Sequence, residues 1–393
     1  MRVYSDDDER IIRVKRLADQ WMRSGLISVA QHEQMTAGLR IDLRRTNQFL
    51  HLTLFGFGLL IIASSVGLVL EIFGVSHPTP FGSVCLASGV VSAGAAEFLV
   101  LRFRVYRFGI EEACAACAVV LAAVGTAVIA GQIFGEPPAD RLLIVGLVTA
   151  SAAALAVYRR FGYVYTGVAA MLCASVAPFP LHLAASVHRL LAAAVLSTCF
   201  IAARAARRRH GDEFPGDEYG TLQAAAWIGI YAVLNLQLWS RYVAPQSGPF
   251  YWFTYATIWA LPVAGLWLSI RDRDRPLLDT SLVMAFGTLL TNKPYLGLAR
   301  KPWDPVLLGL LLMGTAGVMR QWLAGGDGRS RNGFTATRLL RSDKDMLAVA
   351  GIASVAAPQI AAHSRAPSPS PDRTAPDPFQ GGRSGGAGGG ASF

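Results

Sequence analysis

Ten apolar runs separated by short polar connections dominate the chain between residues 52 and 323, and this pattern leaves few folds open. The runs cover 52–73, 82–101, 113–134, 142–158, 161–181, 187–203, 221–239, 250–270, 277–292 and 306–322. A helix rises about 1.5 Å per residue, so about 20 apolar residues cross a bilayer core. Water is absent from that core, so a spanning backbone must satisfy its own hydrogen bonds, which a helix does within each segment. The predicted fold class is therefore all-α: a polytopic integral membrane protein of about ten transmembrane helices. Charged residues make up 16% of the chain, against about 25% in typical soluble domains.

Basic residues set the expected orientation. Nine precede the first run, and successive even-numbered connections carry three, two, four and three, with six more just after the last run. The opposite side holds six: Arg141, Arg189, Arg241, Lys293, Arg300 and Lys301. Basic flanks resist translocation, so the N-terminus and C-terminus are both expected in the cytoplasm, with the bilayer being a bacterial inner membrane. The net charge of +10 is accounted for by this asymmetry and by anionic headgroups, and no nucleic-acid partner is implied.

Four regions follow. Residues 1–49 read as a cytoplasmic helical hairpin. Asp6, Asp7, Asp8 and Glu9 favour a helix N-terminus, and Ile11, Val14, Leu17 and Trp21 form one stripe. Ser24-Gly25 stops that helix, and Ser28 with Gln31 forms a capping-box pattern for the next, whose apolar face is read as Val29, His32, Met35 and Leu39. Residues 50–323 are the ten-helix domain. Residues 324–363 hold a basic loop at 325–333 and a short apolar segment at 346–357. Residues 364–393, rich in Pro, Ser and Gly, are expected to stay disordered because they offer little apolar surface to bury.

Ionisable and amide groups within apolar runs are costly in hydrocarbon and mark the only candidate site: Glu97, Gln132, Asn235 and Gln237. Glu97 is expected to pair with Arg102 or Arg104 or to reach water. Asp279 is expected to cap its helix or pair with Arg275, and Asn235 and Gln237 to bond between helices. Pro262 marks a mid-span kink, and the aromatic residues around 239–255, with Trp303, a headgroup-level belt. The five cysteines lie in apolar runs and suggest packing, Cys114-x-x-Cys117 included; no metal site, catalytic residue or cofactor is predicted.

Trp21-Met-Arg-Ser-Gly-Leu-Ile-Ser28, followed by Gln31-His-Glu-Gln34, resembles the opening helical pair of the bacterial membrane-protein family called domain of unknown function 2157. Gly125-Thr-Ala-Val-Ile-Ala-Gly-Gln-Ile-Phe134 is similar to that family's Gly-Gln-Ile-aromatic segment, although Gly135-Glu-Pro-Pro replaces the His expected next. The resemblance covers residues 10–160. It implies a multi-pass architecture and no reaction. The function expected is a non-enzymatic sensor, scaffold or assembly partner that sits in the lipid bilayer and meets a protein partner at the N-terminal hairpin. The alternative is a small-solute transporter built on the four polar residues, with an intramembrane enzyme third.

The charge pattern gives a direct test in a cysteine-free background. An impermeant thiol reagent added to intact cells should label Gln246→Cys and not Asp212→Cys; the reverse result would invert the orientation.

Overall fold

The computed structural model describes residues 3–23, 26–39, 43–44, 46–75, 77–135, 139–210, 217–239, 248–272, 274–298, 301, 303–324, 330–331 and 334–335. The segment at 346–357 and the tail at 364–393 lie outside them. Each apolar run falls on a helix. After the N-terminal pair α1 (Asp6–Arg23) and α2 (Val29–Ala37) come α3 (Gln48–Ile72), α4 (Pro78–Phe103), α5 (Ile110–Ile133) and α6 (Ala139–Phe161). Then follow α7 (Val164–Val176), α8 (Ala185–His210), α9 (Glu218–Leu234), α10 (Pro249–Asp272), α11 (Arg275–Tyr295) and α12 (Asp304–Ala324).

Six of these, α3 to α6, α8 and α10, are long and apolar enough to cross a membrane. Their outward faces leave large apolar side chains uncovered, among them Leu60, Ile61, Val90, Val91, Val263 and Trp267. A water-soluble surface rarely carries contiguous apolar patches of that kind, whereas hydrocarbon solvates them. The chain is a helical, multi-pass membrane protein.

Packing runs mostly between sequence neighbours: α4 on α5, α5 on α6, and so on to α9, which then meets α10 and α11. Small residues allow close approach where α4 crosses α5. A Cβ placed on Gly125 would lie 2.8 Å from the backbone oxygen of Gly82, and one on Gly82 would lie 3.1 Å from that of Gly125. Without a hydrophobic drive between helices in lipid, such backbone proximity is what gains van der Waals contact.

Two expected spans change shape. The fifth run, 161–181, yields only the 13-residue helix α7, about 20 Å long. Gly162, at φ +75°, ends α6, and after Val176 the chain continues in turns such as Phe179 N–H to Val176 O at 2.9 Å. Helix α7 buries Thr166, Gly167, Ala170, Met171 and Ser175, whereas the turns that follow it carry exposed side chains such as Phe179, Leu181 and Leu183. The ninth run lengthens, as α11 extends through Pro294 to Tyr295. Pro262 lies buried inside an unbroken α10.

The hairpin also departs from expectation. Ser28 and Gln31 cap α2 reciprocally, with Gln31 N–H to Ser28 Oγ at 3.2 Å and Ser28 N–H to Gln31 Oε1 at 2.9 Å. Yet α2 buries no residue, and Val29 is 62% exposed. The helix is tied to α1 through His32 Nε2 and Asp19 Oδ1 at 2.8 Å instead. In the region read as a flexible basic loop, Ser330–Arg331 pairs antiparallel with Phe334–Thr335.

Gly125→Val should separate α4 from α5. Over-packing of this kind costs roughly 1–3 kcal/mol, read as a lowered unfolding temperature of the purified protein; an unchanged value would show the crossing to be loose.

Candidate functional site

The basic connections gather at one end of the helices, where the chain also places acids, Glu218 and Asp274 buried and Glu97 and Asp272 half-exposed. Arg160 pairs with Glu97, Arg204 with Asp272, and Arg107 reaches Glu218 Oε1 at 3.5 Å. Arg207 bridges two acids, with Nη2 2.7 Å from Asp217 Oδ2 and Nη1 2.5 Å from Asp274 Oδ2. Asp274 is 1% exposed. Burial raises its carboxyl above the usual range, and the Arg207 guanidinium pulls it back only in part. Several of these acids sit at helix starts, where the helix dipole favours negative charge.

The N-terminal segment completes this end. Val3 N–H donates to Arg160 O at 3.0 Å. Tyr4 and Ile12 join Ala96, Val100, Tyr106, Cys114, Phe161 and Tyr163 in one buried cluster. Tyr4 Oη lies 3.3 Å from Tyr163 Oη, and burial pushes both phenols well above their ordinary range. Arg44 pairs edge-on with the α4–α5 connection, its N–H donating to Arg104 O at 2.9 Å and its carbonyl accepting from Tyr106 N–H at 3.0 Å.

Beneath α1 these elements enclose a pocket of about 390 Å³. Arg16 and Arg107 supply positive charge to its wall, and His51 faces Glu112 across it at 3.2 Å, Nε2 to Oε2. That distance is not matched by hydrogen-bond alignment, so Nε2 counts as an ion-pair neighbour and not as a satisfied donor. Tyr165 lines the pocket together with Glu112, and its ring stacks on Tyr163 with centroids 5.6 Å apart. Below lies Glu111, fully buried; its Oε1 accepts from Phe108 N–H at 2.5 Å, while Oε2 has no hydrogen-bond partner.

The connection that carries Arg107 is bent. Arg104 and Arg107 hold φ of 50° and 49°, left-handed values that cost a non-glycine residue about 1–2 kcal/mol. Gly109, at φ +112°, is needed because a Cβ there would stand 2.4 Å from His51 O. The start of α3 is thus pressed against the start of α5, which brings His51 to Glu112.

The four polar residues predicted from sequence do not form one site. Glu97 is engaged by Arg160 on α6, a partner that helix packing supplies and that sequence proximity to Arg102 and Arg104 did not reveal. Gln132 is exposed near the far end of α5. Asn235 and Gln237 do converge, at the opposite end of the bundle from the ion pairs. Asn235 Nδ2 donates to Tyr231 Oη at 2.9 Å and to Thr291 Oγ1 at 3.1 Å. Gln237 Nε2 reaches Tyr251 Oη at 3.5 Å and Pro294 O at 3.4 Å. Asp279 is exposed in α11.

This second cluster has a structural origin. Helix α9 ends at Leu234, and a helix leaves its last carbonyls without partners. Side chains supply them: Trp239 Nε1 to Ala232 O at 2.7 Å and Arg189 Nη1 to Val233 O at 2.6 Å, with Tyr295 Oη 3.5 Å from Leu234 O. Of the expected aromatic belt, Trp239, Trp252 and Trp303 are exposed, whereas Tyr251 and Tyr255 turn inward, Tyr255 Oη donating to Asn292 Oδ1 at 2.9 Å. Tyr242 lies outside the described residues.

No protein-family model matches the chain, and no curated protein or solved structure shows similarity to it. Among the described residues, no group of His, Cys, Asp and Glu could hold a metal ion. Cys114 packs in the N-terminal cluster, and Cys117 is half-buried beside it.

Arg207→Met would leave Asp217 and Asp274 uncompensated. Breaking a buried pair from one side costs about 3–5 kcal/mol, so the variant should lose most of its thermal stability, and adding Asp274→Asn should restore part of it. Equal stability of the single variant and the natural chain would show that the bridge is solvated.

Proposed function

We propose that the chain is a ten-span protein of the bacterial inner membrane, basic end in the cytoplasm, acting as a non-enzymatic sensor, scaffold or assembly partner. Ten crossings need α7 to return the chain to the far end, and the ion pair between His182 Nε2 and Asp140 Oδ2 at 3.6 Å supports that return. It ties the α7–α8 connection to the outer start of α6. The cytoplasmic placement of the ion-paired end is supported by its basic loops, and the resemblance to the family of unknown function 2157 agrees with a helical pair preceding many spans.

The observation that carries the functional reading is the docking of α1 through Tyr4 and Ile12 onto the ends of α4, α5 and α6. A cytoplasmic segment so placed responds to any change in the bundle, and Leu26 in the α1–α2 turn and Val29 at the start of α2 face the surroundings. The protein partner is assigned to that surface. Transport draws less support, since Asn235 and Gln237 are occupied in joining α9 to its neighbours and Glu97 is paired with Arg160.

Capture of the full-length protein from solubilised bacterial membranes tests this reading. A co-purifying protein should be lost from Leu26→Asp/Val29→Asp, which alters only exposed positions, and retained by Glu97→Gln. Retention by the hairpin variant, together with loss of a solute-dependent growth phenotype in Glu97→Gln, would favour the transporter.

A further inference from the structure

We infer that the pocket beneath α1 binds a small zwitterion, one that carries an oxyanion group and an ammonium. The inference rests on the pocket alone and not on the scaffold reading. Its volume of about 390 Å³ lies within the range of small-molecule sites, roughly 300–1,000 Å³. Its walls are chemically unlike each other. Arg107 and Arg16 line it together with Glu112, so both signs of charge border the same space.

A guanidinium presents five N–H donors in a planar fork suited to carboxylate or phosphate oxygens. Arg107 spends little of this on protein: its contact with Glu218 is 3.5 Å long, whereas charge-assisted bonds are about 2.7–2.9 Å. Its backbone is held in a left-handed conformation to place the group there, and strain of this kind gathers at binding sites. The acid suits a cation. Glu112, which faces His51 at 3.2 Å, has a second carboxylate oxygen to offer, and Tyr165, 43% exposed and stacked on the buried Tyr163 ring, adds an aromatic face of the kind that attracts an ammonium.

A doubly charged anion would meet Glu112, and a simple cation would meet Arg107. A ligand with both groups neutralises each wall as it is buried, which avoids leaving either charge desolvated and alone. Two sources share this chemistry: a free zwitterionic solute, or the aminophosphate headgroup of a phospholipid. The pocket lies at the start of α3, α5 and α7, the depth at which headgroups stand.

The purified full-length protein in nonionic detergent is titrated with glycerophosphoethanolamine, glycerophosphoglycerol or ethanolamine while its unfolding temperature is followed. In parallel it is placed in phosphatidylglycerol nanodiscs with or without phosphatidylethanolamine. A saturable rise with soluble glycerophosphoethanolamine assigns a free solute. A rise confined to phosphatidylethanolamine nanodiscs assigns the lipid headgroup. In whichever setting responds, Glu112→Gln and the paired change Arg107→Gln/Glu218→Gln should weaken the response roughly tenfold or more, the loss expected for one charge-assisted contact. The paired change removes both partners, so no buried acid is stranded.

Three results overturn the inference. One is no saturable rise in either setting. Another is glycerophosphoglycerol or ethanolamine binding as tightly as the zwitterion. The third is folded variants that respond like the natural chain. Should the variants fail to fold, the preference of the natural chain for zwitterion over either half decides.

Discussion

Four arginines of the basic connections, Arg107, Arg160, Arg204 and Arg207, tie the helix ends together through ion pairs, and the architecture depends on them. The same positive charges are what the sequence offers as a signal of orientation. These guanidiniums neutralise acids on neighbouring elements: Arg207 for Asp217 and Asp274, which stand at helix starts, Arg204 for Asp272 at the end of α10, and Arg160 for Glu97 in the last third of α4. A carboxylate buried without such a partner would be driven to protonate. Because each pair links different helices or connections, this belt of charges fixes which helices meet at that end. The N-terminal segment fits against this belt, joined by Arg44 and by the Tyr4 contact with Tyr163.

Much of the helical framework was legible as apolar runs, because a spanning helix must advertise its length in composition. Where the reading erred, local chemistry overrode length. Gly162 ended α6 and the turns after Val176 shortened α7, although residues 161–181 are apolar throughout. The ninth apolar run ends at Asn292, yet α11 continues through Pro294 to Tyr295. Ser28 and Gln31 gave the α2 cap correctly, since a capping box is a matter of four consecutive residues.

The site was far less legible. Asn235 and Gln237 were recognisable as amides in an apolar setting, but their partners Thr291, Tyr251 and Pro294 lie on helices made later in the chain. The pocket draws on positions as distant as Arg16 and Tyr165, so no spacing rule could assemble it. Glu111 and Glu112 stand just before the third apolar run, outside the segments in which polar groups are costly. A usable signal did exist: paired acids opening a helix directly after a basic connection, repeated at Asp217-Glu218 and again at Asp274. Its meaning depends on three-dimensional pairing that sequence order conceals.

The early end of α9 has a consequence for how the protein is made. Its last carbonyls and the N–H of Leu236 find partners on both sides of the helix in sequence order. Arg189 precedes α9, whereas Trp239 follows closely and Tyr295 only after two more helices. In chain order, then, the end of α9 is made before part of its partners, and Leu236 N–H gains its phenol only when α11 has been completed. Helices α9 to α11 therefore mature as one unit of biogenesis, however separately the ribosome delivers them.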